Sequence, residues 1–188
     1  INYNKKDSTG ICFIGERKYN DFVGQYINAK KGKIVSIDGD VLGTHNGHIY
    51  FTIGQRKGLG IGARLSAEDK PWYVVKKDIK KNIVFVAQGG NHPALFSKKI
   101  IVNAVNWISQ KPTHFPKQLY AKVRYRDNDK TCSVFCLNQN SYLVKFQSKQ
   151  KAITPGQSIV FYDKNNICVG GGIISKRDIP FLNKTLDE

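Results

Sequence analysis

Two stretches of this sequence hold residue types able to do chemistry or to grip a ligand. The first is DSTGICFIGER, where Cys12 lies between Gly10 and Gly15. Glycine keeps such a backbone pliable, and Lys5, Lys6, Arg17 and Lys18 stand close in sequence. Nearby cations favour the thiolate, the nucleophilic form of cysteine. The competing reading is a packed cysteine between Ile11 and Phe13, and local composition by itself favours packing. The second stretch is QLYAKVRYR. With a strand's period of two, Leu119, Ala121, Val123 and Tyr125 face one way, while Tyr120, Lys122, Arg124 and Arg126 face the other. One side can close a core while the other offers cations and a ring. Guanidinium groups hold phosphates bidentately, and rings stack on unpaired bases. An ordinary solvated strand face is the alternative.

Other groups carry weaker signals. FTIGQRKGLGIG places Gly54, Gly58, Gly60 and Gly62 around Gln55, Arg56 and Lys57. The phosphate-loop order G-x-x-x-x-G-K-[ST] is absent, and so is the dinucleotide spacing. A glycine turn packed closely on another loop, with a basic tip, fits better. His45 and His48 lie in a turn without further ligands nearby and read as surface histidines, so no metal site is expected. Cys132 and Cys136, with Val134 between them, read as small buried hydrophobes on one strand face, and Cys168 reads the same way.

The elements that must position these groups follow from periodicity. ERKYNDFVGQYI sets Tyr19, Phe22, Val23, Tyr26 and Ile27 at helical spacing and predicts the single amphipathic helix. Strand signals dominate afterwards. KIVSID and HIYFTIG flank the turn-rich GDVLGTHNG, predicting a hairpin or short meander, and DIKK joins WYVVKK to NIVFVAQ in a second hairpin. GGNHPALFS, about residues 89–97, marks a boundary. Beyond it KIIVNAVNWI, QLYAKVRYR, TCSVFCLN, SYLVKF, SIVFYD and ICVGGGII recur at the close spacing of a small closed barrel. The expected architecture is mainly β: a β-rich central domain with one helix (1–95), a six-stranded barrel (96–177) and a tail (178–188).

The 188 residues carry 30 basic and 14 acidic side chains, a net charge of +16. The excess is present on both sides of residue 95, so it is no detachable tail. Such a field concentrates polyanions, nucleic acid first among them, although Lys-rich composition can also reflect an AT-rich genome. No apolar run reaches the roughly 20 residues of a membrane span, and no secretory leader layout occurs. Methionine is absent, which suggests a piece of a longer chain.

The runs DSTGICFIGERKYNDFVGQYI, GKIVSIDGDVLGTHNGHIYFTIGQRKGLGIG, PWYVVKKD, QGGNHPALFS, KVRYR and TPGQSIVFYD resemble the tRNA-specific 2-thiouridylases (the MnmA family), over about residues 5–175. The resemblance implies a sulfurtransferase that modifies tRNA, replacing the oxygen on carbon 2 of the wobble uridine in tRNAs for Lys, Glu and Gln. It implies that ATP adenylates the uridine, that a cysteine persulfide supplies sulfur, and that a transient disulfide forms. It assigns the persulfide to Cys12 and tRNA contacts to Arg124, Tyr125 and Gln157, with Lys122 and Arg126 beside them. It also implies an elongation-factor-like barrel.

The family's adenylating domain, with its Ser-Gly-Gly-Val-Asp-Ser loop and first catalytic cysteine, does not occur in this sequence. ATP and Mg are therefore expected on that domain, no cofactor is expected here, and the chain alone is expected to be inactive. The implied partners are tRNA and a sulfur-relay protein or cysteine desulfurase, with neither DNA nor membrane. The implied compartment is the bacterial cytoplasm, with mitochondrial relatives. A stand-alone RNA-binding barrel without catalysis is the alternative. On either reading, reversing the charges of Arg124 and Arg126 weakens RNA binding and flattens its salt dependence, measured by titration at two salt concentrations.

Overall fold

The structure, a computed structural model, describes residues 19–27, 29–61, 70–108, 110–124 and 127–179. A short helix, α1 (Tyr19–Gly24), precedes four strands: β1 (Gly32–Ser36), β2 (Val41–His45), β3 (Trp72–Asp78) and β4 (Ile83–Gln88). They form a sheet of order β2-β1-β4-β3, in which β1 and β4 run parallel and the other neighbours antiparallel. Six more strands follow: β5 (Phe96–Trp107), β6 (Lys117–Lys122), β7 (Lys130–Asn138), β8 (Ser141–Lys151), β9 (Ser158–Tyr162) and β10 (Cys168–Arg177). These close into a barrel of order β10-β5-β8-β7-β6-β9. The mainly β architecture with a six-stranded barrel matches the sequence expectation.

The barrel closes because alternate residues of every strand are apolar and point inward. Ile100, Val102, Leu119, Ala121, Cys132, Val134, Val144, Phe146, Ile159, Phe161 and Ile174 fill the interior. Trp107 stacks on Phe161 and meets Tyr142 edge-on, with ring centroids 5.7 and 5.8 Å apart. The seam at β10 depends on glycine. A Cβ at Gly171 would lie 2.6 Å from the Ile159 carbonyl, and one at Gly172 would lie 2.7 Å from Val102. Two register shifts against β5 bend the same strand, as bulges do where a sheet curls on itself.

The central sheet buries both faces. Val74, Val84 and Val86 pack with Ile34, Phe51 and Leu59 on one side. Val75 and Ala87 meet Ala94 and Leu95 on the other, where Phe96 and Ile179 add apolar cover. The central sheet and the barrel thus meet along the segment that links them.

Three expectations need correction. The helix is shorter than its pattern: it ends at Gly24, a poor helix former, and leaves Tyr26 74% and Ile27 46% exposed. HIYFTIG is not a strand. His48–Tyr50 makes a 3-10 turn, and the following segment hydrogen-bonds to the sheet edge where Gly54 N–H donates to the Val74 carbonyl and Val74 N–H to that of Gln55. The first hairpin is instead β1–β2: its first strand is the expected KIVSID, and its second, VLGTH, lies inside the stretch read as turn-rich. His45 is buried rather than a surface group. Its Nδ1 accepts from Gly47 N–H at 3.0 Å, and burial lowers its pKa, opposed by the Asn82 carbonyl and reinforced by His48.

The glycine loop packs as expected on another loop, against a residue of unusual conformation. Ala152 has φ +53°, a left-handed geometry costing about 1–2 kcal/mol for a residue with a Cβ. Its N–H donates to the Leu95 carbonyl at 2.6 Å. Gly54 has φ +86°, and a Cβ there would lie 2.6 Å from that of Ala152. Gly54→Ala is expected to destabilise the chain by about 2 kcal/mol or more through overpacking and strain. Ala152→Gly should be neutral or mildly stabilising, and the double variant should recover only the share of the penalty that comes from the clash. Denaturant titration of the four proteins checks this.

Candidate nucleic-acid interface

Of the inward set, Leu119 and Ala121 on β6 and Val123 just beyond it are buried. The outward set begins with Tyr120, which is exposed and lies opposite Tyr162 of β9. Lys122 Nζ sits 5.5 Å over the Tyr162 ring and 3.5 Å from Asp129 Oδ1. That acidic partner, invisible in the spacing of the motif, offsets part of the Lys122 charge. β6 ends at Lys122, so Arg124 stands beyond the strand, exposed to solvent. Its Nη2 donates to the Ala152 carbonyl at 3.0 Å. This contact orients the guanidinium, which carries five N–H donors, more than one carbonyl can use.

Ala152 opens the loop that carries Gln157. Thr154 Oγ1 also reaches the Ala152 carbonyl, at 3.3 Å, and Gln157 N–H donates to the Thr154 carbonyl at 3.2 Å. The Gln157 carbonyl accepts from Ile174 N–H of β10 at 2.9 Å, so the backbone is fixed while the residue is exposed. Arg124 and the 152–157 loop are thereby joined at one end of the barrel wall. Tyr125, Arg126 and Cys12 lie outside the described residues. Tyr162, which the motif reading missed, was signalled by alternation in SIVFY, where Ile159 and Phe161 are inward and Tyr162 is not.

The remaining thiols and imidazoles separate into different surroundings. Cys132 is fully buried, and burial pushes its thiol up to about 12. Cys136 departs from the expected packing: it is exposed, with Sγ 3.3 Å from the Asn138 carbonyl, because the far half of β7 projects past the core. Cys168 is half-buried. His48 Nδ1 bonds Asn82 Oδ1 at 3.1 Å, and the Asn82 amide donates to the carbonyls of Lys30 and Lys31. Among the described residues, no three His, Cys, Asp or Glu side chains gather into a metal-binding group. Part of the glycine loop's backbone is engaged within the fold. The N–H groups of Gly54 and Gln55 are spent on the carbonyls of Val74 and Thr52, so they cannot wrap phosphates as such loops must.

A buried arginine holds the central sheet against the barrel bearing this surface. Arg177, at the end of β10, donates through Nη2 to the carbonyls of Val75 and Ala94 and through Nη1 to Ser97 Oγ at 3.0 Å. Burial lowers its pKa to about 10, opposed by the Asp178 carboxylate, so it is charged at neutral pH. Its acceptors lie on β3, on the linking turn and on β5, and the planar fork suits several acceptors at once.

Fold and surface define a mainly β protein in which a small four-stranded sheet precedes a closed six-stranded barrel that presents Arg124 at one end. Family models agree. A tRNA methyl transferase PRC-barrel domain matches residues 20–88, and an aminomethyltransferase β-barrel domain matches residues 97–174. The chain belongs to the tRNA-specific 2-thiouridylase family. It is 50% identical over 176 residues to the tRNA-specific 2-thiouridylase MnmA of Shewanella oneidensis, covering 94% of this chain and 47% of that one. The protein of the same name from Stutzerimonas stutzeri is 49% identical over 93% of this chain and 46% of its own. That from Klebsiella pneumoniae is 49% identical over 94% and 48%. The chain spans about half the length of these relatives.

Replacing Arg177 with Met should cost about 2–4 kcal/mol, because it strips donors from buried carbonyls. Arg177→Lys should recover only part of that, since an ammonium lacks the fork. Thermal unfolding measures the loss, and proteolysis between residues 89 and 97 should accelerate in step.

Proposed function

We propose that this chain is the tRNA-holding and sulfur-delivering part of an enzyme that 2-thiolates the wobble uridine of tRNAs for Lys, Glu and Gln. The observation that carries the reading is the near-50% identity to 2-thiouridylases along almost the whole chain, on a barrel whose end presents Arg124 beside the Gln157 loop. Arg124, Tyr125 and Gln157 are assigned to tRNA contact, with Lys122 and Arg126 adding charge. Phosphate contacts of this kind set register and supply salt-dependent affinity.

Cys12 is assigned the persulfide. Its terminal sulfur attacks carbon 2 of the adenylated uridine, and AMP departs with the former carbonyl oxygen. A second cysteine's thiolate then attacks the Cys12 sulfur, breaking the S–S bond. The electron pair stays on the sulfur bound to carbon 2, a disulfide forms between the cysteines, and an external thiol reduces it. The cations near Cys12 in sequence favour the anionic persulfide.

ATP with Mg and the second cysteine are assigned to a separate adenylating domain, as the family resemblance implies. The sulfur comes from a relay protein or cysteine desulfurase. A cytoplasmic setting fits these partners, and no helix among the described residues is long and apolar enough to cross a membrane.

In an enzyme that includes the adenylating domain, Cys12→Ser should abolish thiolation while leaving tRNA affinity within about twofold, because the exchange alters the nucleophile and not the phosphate contacts. Thiolated tRNA, quantified by mass spectrometry, is the readout, and continued product formation by the variant would remove Cys12 from the mechanism. The 188-residue chain supplied with ATP, tRNA and a sulfur donor should give no product.

A further inference from the structure

The glycine loop of the central sheet holds two cations that the tRNA assignment above leaves unused, and three features of the fold fix the loop beside the Arg124 end of the barrel. The loop is anchored on both flanks, because Ile53 and Leu59 are buried while Arg56 and Lys57 between them are exposed. It is closed by one side chain. Gln55 Oε1 accepts from Thr52 N–H at 2.9 Å, and Gln55 Nε2 donates to the Lys57 carbonyl at 2.9 Å. It is seated on the barrel through Gly54 against Ala152, the residue whose carbonyl holds Arg124. Arg56 is two residues from Gly54, no more than about 7 Å along the chain.

Among the described residues neither Arg56 nor Lys57 has an ion-pair partner. Gathering cations here raises their mutual repulsion, which a polyanion relieves. A loop rigidified by its own glutamine loses little entropy when such a ligand arrives.

We propose that Arg56 and Lys57 form a second phosphate-binding element that acts with Arg124 across the domain junction on a single RNA backbone. This rests on the tRNA-binding reading and extends the contact surface from the barrel onto the central sheet. Gln55 is the positioning residue, since its amide spans the tip. The surface recognises consecutive phosphates of a structured RNA, so the two domains must keep a fixed spacing.

The test titrates the 188-residue chain with a tRNA transcript at several salt concentrations. Arg56→Gln/Lys57→Gln should weaken binding roughly tenfold near 0.1 M salt and reduce the slope of log K against log salt by about 0.7–0.9 for each phosphate no longer neutralised. Lys80→Gln/Lys81→Gln, on the β3–β4 turn, removes equal charge elsewhere and should leave that slope within error of the parent. Gln55→Ala should weaken binding while Arg56 and Lys57 remain. If Arg124→Gln weakens binding but Arg56→Gln/Lys57→Gln does not, the second element is refuted and the tRNA-binding reading stands. If the Lys80/Lys81 variant loses as much slope as the tip variant, only net charge is at work and the element is refuted. If the parent chain shows no salt-dependent affinity for the transcript, the tRNA-binding reading fails and the element with it.

Discussion

The contact between Gly54 and Ala152 ties the central sheet to the barrel at the point where the cationic surface lies. Only glycine fits on one side of it, and on the other an alanine accepts a left-handed backbone. That conformation turns the Ala152 N–H toward the Leu95 carbonyl and its own carbonyl toward Arg124. A strained residue persists where its neighbours over-determine it, and three separate segments converge on this one. The geometry of the surface is therefore a property of the junction as much as of either domain.

Electrostatics and packing pull against each other in this molecule. A net charge of +16 disfavours compaction through self-repulsion, and the Arg177 guanidinium is buried. The fold manages the buried charge locally. Arg177 faces backbone carbonyls and a serine hydroxyl, and that hydroxyl donates in turn to the Asp178 carbonyl at 2.8 Å. Asp178 is itself held, since its Oδ1 accepts from the N–H groups of Lys98 and Lys99. Lys122 is handled differently, shared between a ring and Asp129. Arg56 and Lys57, at the tip of the glycine loop, are spared any such neutralisation among the described residues.

Much of the fold was legible because the barrel strands obey a period of two over most of their length. The buried Leu119, Ala121 and Val123 could be read from alternation alone, as could the DIKK hairpin from its flanking strands. What escaped was set by contacts distant in sequence. HIYFTIG has the composition of a strand, yet among the described residues the backbone bonds between this stretch with the next residue and the edge of β3 are made at Val74. His45 is enclosed because Gly32 leaves room against its ring: a Cβ there would lie 2.7 Å from it. Nothing in KAITPG announces a left-handed alanine. At the candidate site the Arg124 face could be read from alternation, whereas its tether to Ala152 and the Asp129 partner of Lys122 depend on chain segments that no motif connects. The role of Cys12 came from family resemblance and not from its neighbours.

The order of strands around the barrel has a bearing on biosynthesis. β10 is made last of the six, yet it pairs with β5, which is made first, and it carries both Arg177 and the Ile174 amide that secures Gln157. On the ribosome the earlier strands emerge with the seam still open, and the arginine that locks the two domains arrives after nearly everything it must join. The nascent molecule can form its local hairpins early, but the surface at the junction is completed in one late step, after translation has passed residue 177.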